Sequence, residues 1–269
     1  MSERVSVHVE NGIADVRLNR PEKMNAIDPA MFEGLCDTGQ ALADDKSVRA
    51  VVLSGEGRAF CAGLDMASIG AMAGGGGGDM PAADGVFASP EGPGRAQLGA
   101  WVWQELPMPV IGAIHGVAYG GGFQIAMGAD IRFVAPDTRL SIMEIKWGLI
   151  PDMAGTQTLR RIARLDVIKE LAFTGRIISG EEAFELGLAT HVSENPHADA
   201  MKLAREIATM SPDAVRCAKH LFNESGLGSV QEGFILESEL QKKLIGAPNQ
   251  VEAVRANMEK RAPAFEDPE

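Results

Sequence analysis

The chain has 269 residues, 45% of them hydrophobic, which is enough to build a sizeable core. Lys and Arg number 25 against 37 Asp and Glu, a net charge of −12, so a nucleic-acid backbone is an unfavourable partner. Three cysteines, Cys36, Cys61 and Cys217, form no CxxC pair, which argues for reduced thiols and against a disulfide framework or a metal site.

The first residues lack a basic region followed by an apolar run, so no secretory leader is expected and the cytoplasm is the default location. VSVHVENGIADVRLN alternates and turns at Asn11-Gly12, a hairpin signal, because both residues tolerate positive φ. Asp28-Pro29 starts a helix running to about Asp45, and RAVVLSG (49–55) reads as a buried strand. GEGRAFCAGLDM follows as a loop entering a short helix. Residues 70–95 are rich in Gly, Ala and Pro and predict a mobile loop. A helix is expected near Arg95–Glu105. Residues 106–129 carry no Asp, Glu, Lys or Arg. Their glycines and polar residues favour a buried strand, a turn and a buried helix over a membrane span. IRFVAPDTRLSI reads as two short strands. Beyond Gly155 the pattern is helical, with a capping box at Ser179/Glu182 and an N-cap at Ser211-Pro212. Strands and helices alternate early and helices alone follow, which predicts an α/β body (1–205) with a helical C-terminal subdomain (206–269).

Several motifs fail. The glycine run at 74–78 is not followed by Lys-Ser/Thr, so it is no P-loop. GEGRAF has Phe60 where the third glycine of a dinucleotide fingerprint would stand. No GxSxG elbow or HExxH helix occurs, and the five histidines are scattered.

Two segments carry chemistry: AFCAGLD (59–65) and IHGVAYGGGFQIAMGADIRF (114–133). Each reads as a turn at a strand end where glycines let backbone approach a ligand. The turn at 120–122 opens a helix whose first N–H groups lack intrahelical partners and can bind a developing oxyanion. A tight turn serving packing alone is the competing reading of each.

RPEKMNAI (20–27), GRAFCAGLDM (57–66), HGVAYGGGFQIAMGADIRF (115–133) and MEIKWGLIPDMAGTQTLRR (143–161) resemble successive signature blocks of the enoyl-CoA hydratase/isomerase (crotonase) superfamily. TGRIISGEEAFELGLATHV (174–192) and EKRAPAF (259–265) match as well. The resemblance implies a spiral of ββα units with a helical trimerisation region, hence a homotrimer or a dimer of trimers. It implies an acyl-CoA substrate, with coenzyme A arriving as part of the substrate and no cofactor bound permanently; no metal is expected, because no ligand cluster is visible and backbone would do the electrophilic work. The oxyanion donors carry over to the backbone N–H groups of Leu64 and Gly121. The thioester and coenzyme A carry over to Arg20, Lys23, Met24, Ala62, Leu64 and Asp65. Lys260 would reach the nucleotide phosphates of a neighbouring subunit. For Lys23 a solvated surface charge is the preferred alternative.

The carboxylates decide the reaction. Hydratases that this chain resembles use two glutamates, whose positions carry over to Gln124 and Glu144. An amide cannot exchange a proton as a carboxyl can. Double-bond isomerisation needs one base, and monofunctional isomerases of the family resemble this chain in keeping only the second glutamate. Asp152, eight residues after Glu144, matches an aspartate of dienoyl-CoA isomerases, although those also carry an acid at the Gln124 position. The expected machinery is therefore Glu144 as acid/base, with Gln124 and Asp152 shaping the second pole. Gln124 is expected to face the pocket, and Asp152 either to line it or to cap a helix. Isomerisation is favoured over hydration. Other enolate chemistry, thioester hydrolysis and non-catalytic acyl-CoA binding stay open.

Overall fold

The structure, a computed structural model, describes residues 4–73 and 92–268. The expectation for 70–95 falls largely outside them. In chain order the elements are β1 (Val5–Glu10), β2 (Ile13–Leu18), α1 (Pro29–Asp44), β3 (Ala50–Gly55), α2 (Met66–Ala73), α3 (Arg95–Glu105), β4 (Val110–Ile114), β5 (Val117–Tyr119), α4 (Gly121–Met127), β6 (Ile131–Val134), β7 (Arg139–Ser141), α5 (Gly155–Ile162), α6 (Leu165–Thr174), α7 (Gly180–Glu185), β8 (His191–Val192), α8 (Pro196–Ala208), α9 (Pro212–Glu224), α10 (Val230–Leu244) and α11 (Pro248–Glu259).

The hairpin forms as its turn chemistry requires, with Asn11 at φ 52° and Gly12 at φ 76°. It opens a six-stranded sheet of order β1-β2-β3-β4-β6-β8, parallel after the first pair. Period-2 geometry splits β3 between two cores. Val51 and Leu53 enter the main core, whereas Ala50 and Val52 meet Ala200 and Ala204 of α8 on the other face. The Asp28 side chain caps α1 by accepting from Met31 N (2.9 Å), and Ser179 caps α7 by accepting from Glu182 N. The second half of the expected box at Ser179 is replaced, because the Glu182 carboxylate pairs with Arg176 at 2.6 Å. A second sheet, β5 parallel to β7, lies between β4 and the later helices in sequence. Helices α9–α11 form the C-terminal end. Among the described residues no helix is long and apolar enough to cross a membrane.

The segment before α1 is held by one side chain. Asn25 is fully buried, and its amide nitrogen donates to the carbonyls of Glu56, Ala59 and Phe60. Its oxygen accepts from Arg20 N at 2.8 Å. Met24 and Asn25 both adopt positive φ, 50° and 55°. The bend they make carries residues 24–27 back alongside the loop that follows β3.

Candidate active site

The AFCAGLD loop runs as an irregular strand between two neighbours. On one side Cys61 N donates to Val117 O and Tyr119 N donates to Cys61 O. On the other, Ala62 N donates to Met24 O, Ile27 N to Gly63 O and Asp65 N to Ile27 O, all at 2.8–2.9 Å. This ladder consumes the N–H groups of Ala62 and Asp65 but not that of Leu64. Among the described residues neither Leu64 N–H nor Gly121 N–H donates to a protein acceptor. The two turns that carry them abut. A Cβ placed on Gly63 (φ 86°) would stand 2.6 Å from Tyr119 O and 3.8 Å from Gly121 N. Gly120, at φ 51°, ψ −120°, occupies a region that L side chains avoid.

Glu144 opens a 3-10 turn, Glu144–Trp147, directly after β7 and is buried. It lies against the glycine turn, since a Cβ on Gly120 would be 3.4 Å from its Oε1. Gln124 Nε2 donates to that Oε1 at 2.6 Å. The other oxygen, Oε2, is buried and has no protein partner. Burial pushes the carboxyl above the ordinary glutamate range; the Gln124 donor pulls it partly back, and the charge of Asp152 pushes it further up. The Asp152 carboxyl is raised by desolvation as well. Asp152 is exposed, yet it stands in a concave mouth whose walls remove much of its hydration. It does not cap α5, whose N-cap is Ala154 at φ 62° with no side-chain cap.

Leu64, Gly121, Glu144 and Asp152 line one cavity of about 490 Å³, together with Lys23, Met24, Ala62 and Asp65. That volume is in the range of small-molecule sites. Its remaining walls include Phe32, Met66, Tyr119, Met143, Trp147 and Met153. Trp147 and Leu149, both exposed, form part of the wall beside Glu144.

Three expected residues sit elsewhere. Gln124 is 1% exposed and stands behind Glu144 instead of facing the cavity, a correction to the expectation for it. Its oxygen is taken by Met153 N (2.8 Å) and Gly155 N (2.9 Å), so the side chain is drawn into the protein. Arg20 is not a lining residue; its guanidinium pairs with Asp65 at 2.6 Å and also donates to Ala26 O. Asp65 caps α2 through Ala67 N (2.8 Å), and this bond, ahead of Arg20, holds its carboxyl below the usual range. The pair is thus a latch that fixes the turn. Lys260 is exposed at the left-handed C-cap of α11, outside this cavity. Among the described residues no His, Cys, Asp and Glu cluster could hold a metal.

Comparison with known proteins identifies the family and the fold. The Enoyl-CoA hydratase/isomerase family model matches residues 8–268. The chain belongs to the enoyl-CoA hydratase/isomerase family. Methylglutaconyl-CoA hydratase of Mus musculus is 32% identical over 263 residues, covering 94% of this chain and 79% of that protein. The 1,2-epoxyphenylacetyl-CoA isomerase of Escherichia coli is 32% identical over 267 residues, covering 98% and 99%. The crystal structure of an enoyl-CoA hydratase from Bacillus anthracis superposes with a TM-score of 0.88 at 29% identity, over 98% of this chain and 100% of that one. The crotonase fold expected from the motifs is therefore the fold of this enzyme. Sequence reading missed Asn25, Tyr119, Met153 and Ala154 as parts of the site. Asn25 was within a quoted motif, but its work is to bind carbonyls some thirty residues away, which no local pattern reports.

Proposed function

We propose that this enzyme shifts the double bond of an enoyl-CoA thioester through a single carboxylate, Glu144. The observation that carries the reading is that Glu144 is buried with one oxygen unpartnered, and that its other oxygen meets an amide, not a second carboxylate. Glu144 Oε2 takes a proton from C2 of a 3-enoyl-CoA. The electron pair left behind delocalises onto the thioester oxygen as a dienolate, held by Leu64 and Gly121 N–H. The same carboxyl returns the proton at C4, giving the 2-enoyl-CoA with no net change in atoms or charge. Leu64 and Ala62 backbone would meet the thioester and pantetheine, and Lys23, at the cavity wall, is the candidate phosphate contact. Apolar side chains exposed on α9–α11, among them Phe222, Val230, Phe234, Ile235 and Met258, support self-association as a trimer or dimer of trimers.

The experiment incubates the protein separately with a trans-2-enoyl-CoA, a 3-enoyl-CoA and a 3,5-dienoyl-CoA. A mass-neutral double-bond shift is expected. Gain of one water on the 2-enoyl substrate would overturn isomerisation in favour of hydration. No change on any substrate would turn the reading toward other enolate chemistry, thioester hydrolysis or acyl-CoA binding.

Hydration is the second reading, favoured by one observation: Asp152 lines the same cavity and its carboxyl is raised. Asp152 would then orient the water whose oxygen adds at C3, while Glu144 takes that water's proton and delivers it to C2. Asp152→Asn separates the two. If Asp152 acts on Glu144 only through its charge, removing it lowers the Glu144 pKa. The acid limb of kcat/KM then moves to lower pH with little loss of the plateau. If Asp152 orients the reacting water, the plateau itself drops about a hundred-fold.

A further inference from the structure

We infer that Gln124 is a positioning residue, a crosspiece that selects which oxygen of Glu144 does the chemistry and sets where that oxygen stands relative to the oxyanion turn. The inference rests on Glu144 being the proton carrier.

The amide of Gln124 has only one orientation that fits. Its Oε1 accepts from two backbone donors, Met153 N at 2.8 Å and Gly155 N at 2.9 Å. Flipping the amide would set an NH2 group against two N–H groups and an oxygen against a carboxylate. The nitrogen therefore faces Glu144 and donates to Oε1 at 2.6 Å. That bond occupies one carboxylate oxygen and leaves Oε2, buried and unpartnered, as the one free to take a proton.

The same side chain ties three parts of the site together. It springs from α4, three residues after Gly121, whose N–H is a proposed oxyanion donor. It reaches Glu144 across twenty residues of sequence. It also pins the turn that carries Asp152, Met153 and Ala154, where Ala154 is held at φ 62°. A carboxamide is suited to this work because it accepts and donates at once while staying neutral beside a carboxylate. An ionised carboxylate in its place would accept from the two backbone N–H groups but repel Glu144. The charged groups lining the cavity besides Glu144 are Glu22, Lys23, Asp65 and Asp152. Of these, Asp152 acts on the Glu144 carboxyl.

Gln124→Met, of similar length and unable to donate, is the first test, read as kcat, KM and pH profile on whichever enoyl-CoA the wild type turns over. The expected result is a kcat lower by about 30-fold or more, with KM changed several-fold less, since misplacement of a reacting group is felt in the chemical step. The acid limb should move to higher pH, because the carboxylate loses a donor that favours its charged form. Gln124→Glu supplies a second reading if the Met variant does not fold. A neutral carboxyl there can make all three hydrogen bonds, so activity should recover partly at low pH. It should fall on a new basic limb as the pair gives up its shared proton. Loss of thermal stability with kcat and the acid limb unchanged in Gln124→Met, or a flat, wild-type profile in Gln124→Glu, would overturn the inference. A fully active Glu144→Gln enzyme would instead remove the proton-carrier reading beneath it.

Discussion

Replacing Glu144 by glutamine is expected to cost about a thousand-fold in kcat, in the range for loss of a general acid–base group, while leaving the fold intact or slightly firmer. The two halves of this result have one cause. The introduced amide would keep the bond from Gln124 Nε2 by presenting its own oxygen, and would place an NH2 group where Oε2 now stands without a partner. It could not carry a proton. Burial raises the Glu144 carboxyl, so the folded state binds that proton more tightly than the unfolded chain. The sign follows: the contribution of Glu144 to stability falls as pH rises from the ordinary glutamate value through its raised folded value, and the penalty is fully present above it. A neutral amide carries no such penalty. Denaturant melts of both proteins across that window should therefore show a wild-type decline with pH that the variant lacks, alongside the lost turnover. Retained turnover would exclude Glu144 as the base. A collapse of stability at neutral pH would mean that its carboxylate is structural.

Where the sequence was legible, the reason was local. Asn11-Gly12 announces a hairpin because the turn demands two positive φ values from adjacent residues. Asp28-Pro29 announces the start of α1 because cap and fixed φ act within one turn. The two glycine loops were readable because close backbone approach needs residues without Cβ. What was not legible depends on partners distant in sequence. The oxygen of Gln124 is claimed by Met153 and Gly155 N–H, 29 and 31 residues on, and this withdraws the side chain from the cavity. Arg20 resembles a coenzyme A contact until Asp65, 45 residues on, is seen to hold it. Strands as short as β5 and β8 show too few alternations to stand out, and they exist because neighbours pair with them. Asp152 sat where a cap could be, but the chain turns through Ala154 first.

Gly63→Ala is expected to lower kcat about a hundred-fold with a much smaller change in KM. The added methyl would not touch the chemistry. At φ 86° an alanine is strained by about 1–3 kcal/mol, and its Cβ would press to 2.6 Å from the Tyr119 carbonyl oxygen. That oxygen belongs to backbone stitched to the AFCAGLD loop, with Gly120 and Gly121 next in line. Something must move, and what can move is either the Leu64 N–H or the Gly121 N–H. Misaiming one oxyanion donor costs on the order of a hundred-fold or more. The loss would fall on kcat because the proposed donors would strengthen as charge develops on the thioester oxygen, while the cavity walls would stay in place. Gly233→Ala is the control, since Gly233 lies in α10 with nothing within 4 Å of the new methyl. It should leave both constants unchanged and, by favouring helix, cost no stability. A Gly63→Ala enzyme with wild-type kcat would show that charge on the substrate is stabilised elsewhere, and Leu64 and Gly121 would lose their assignment as oxyanion donors.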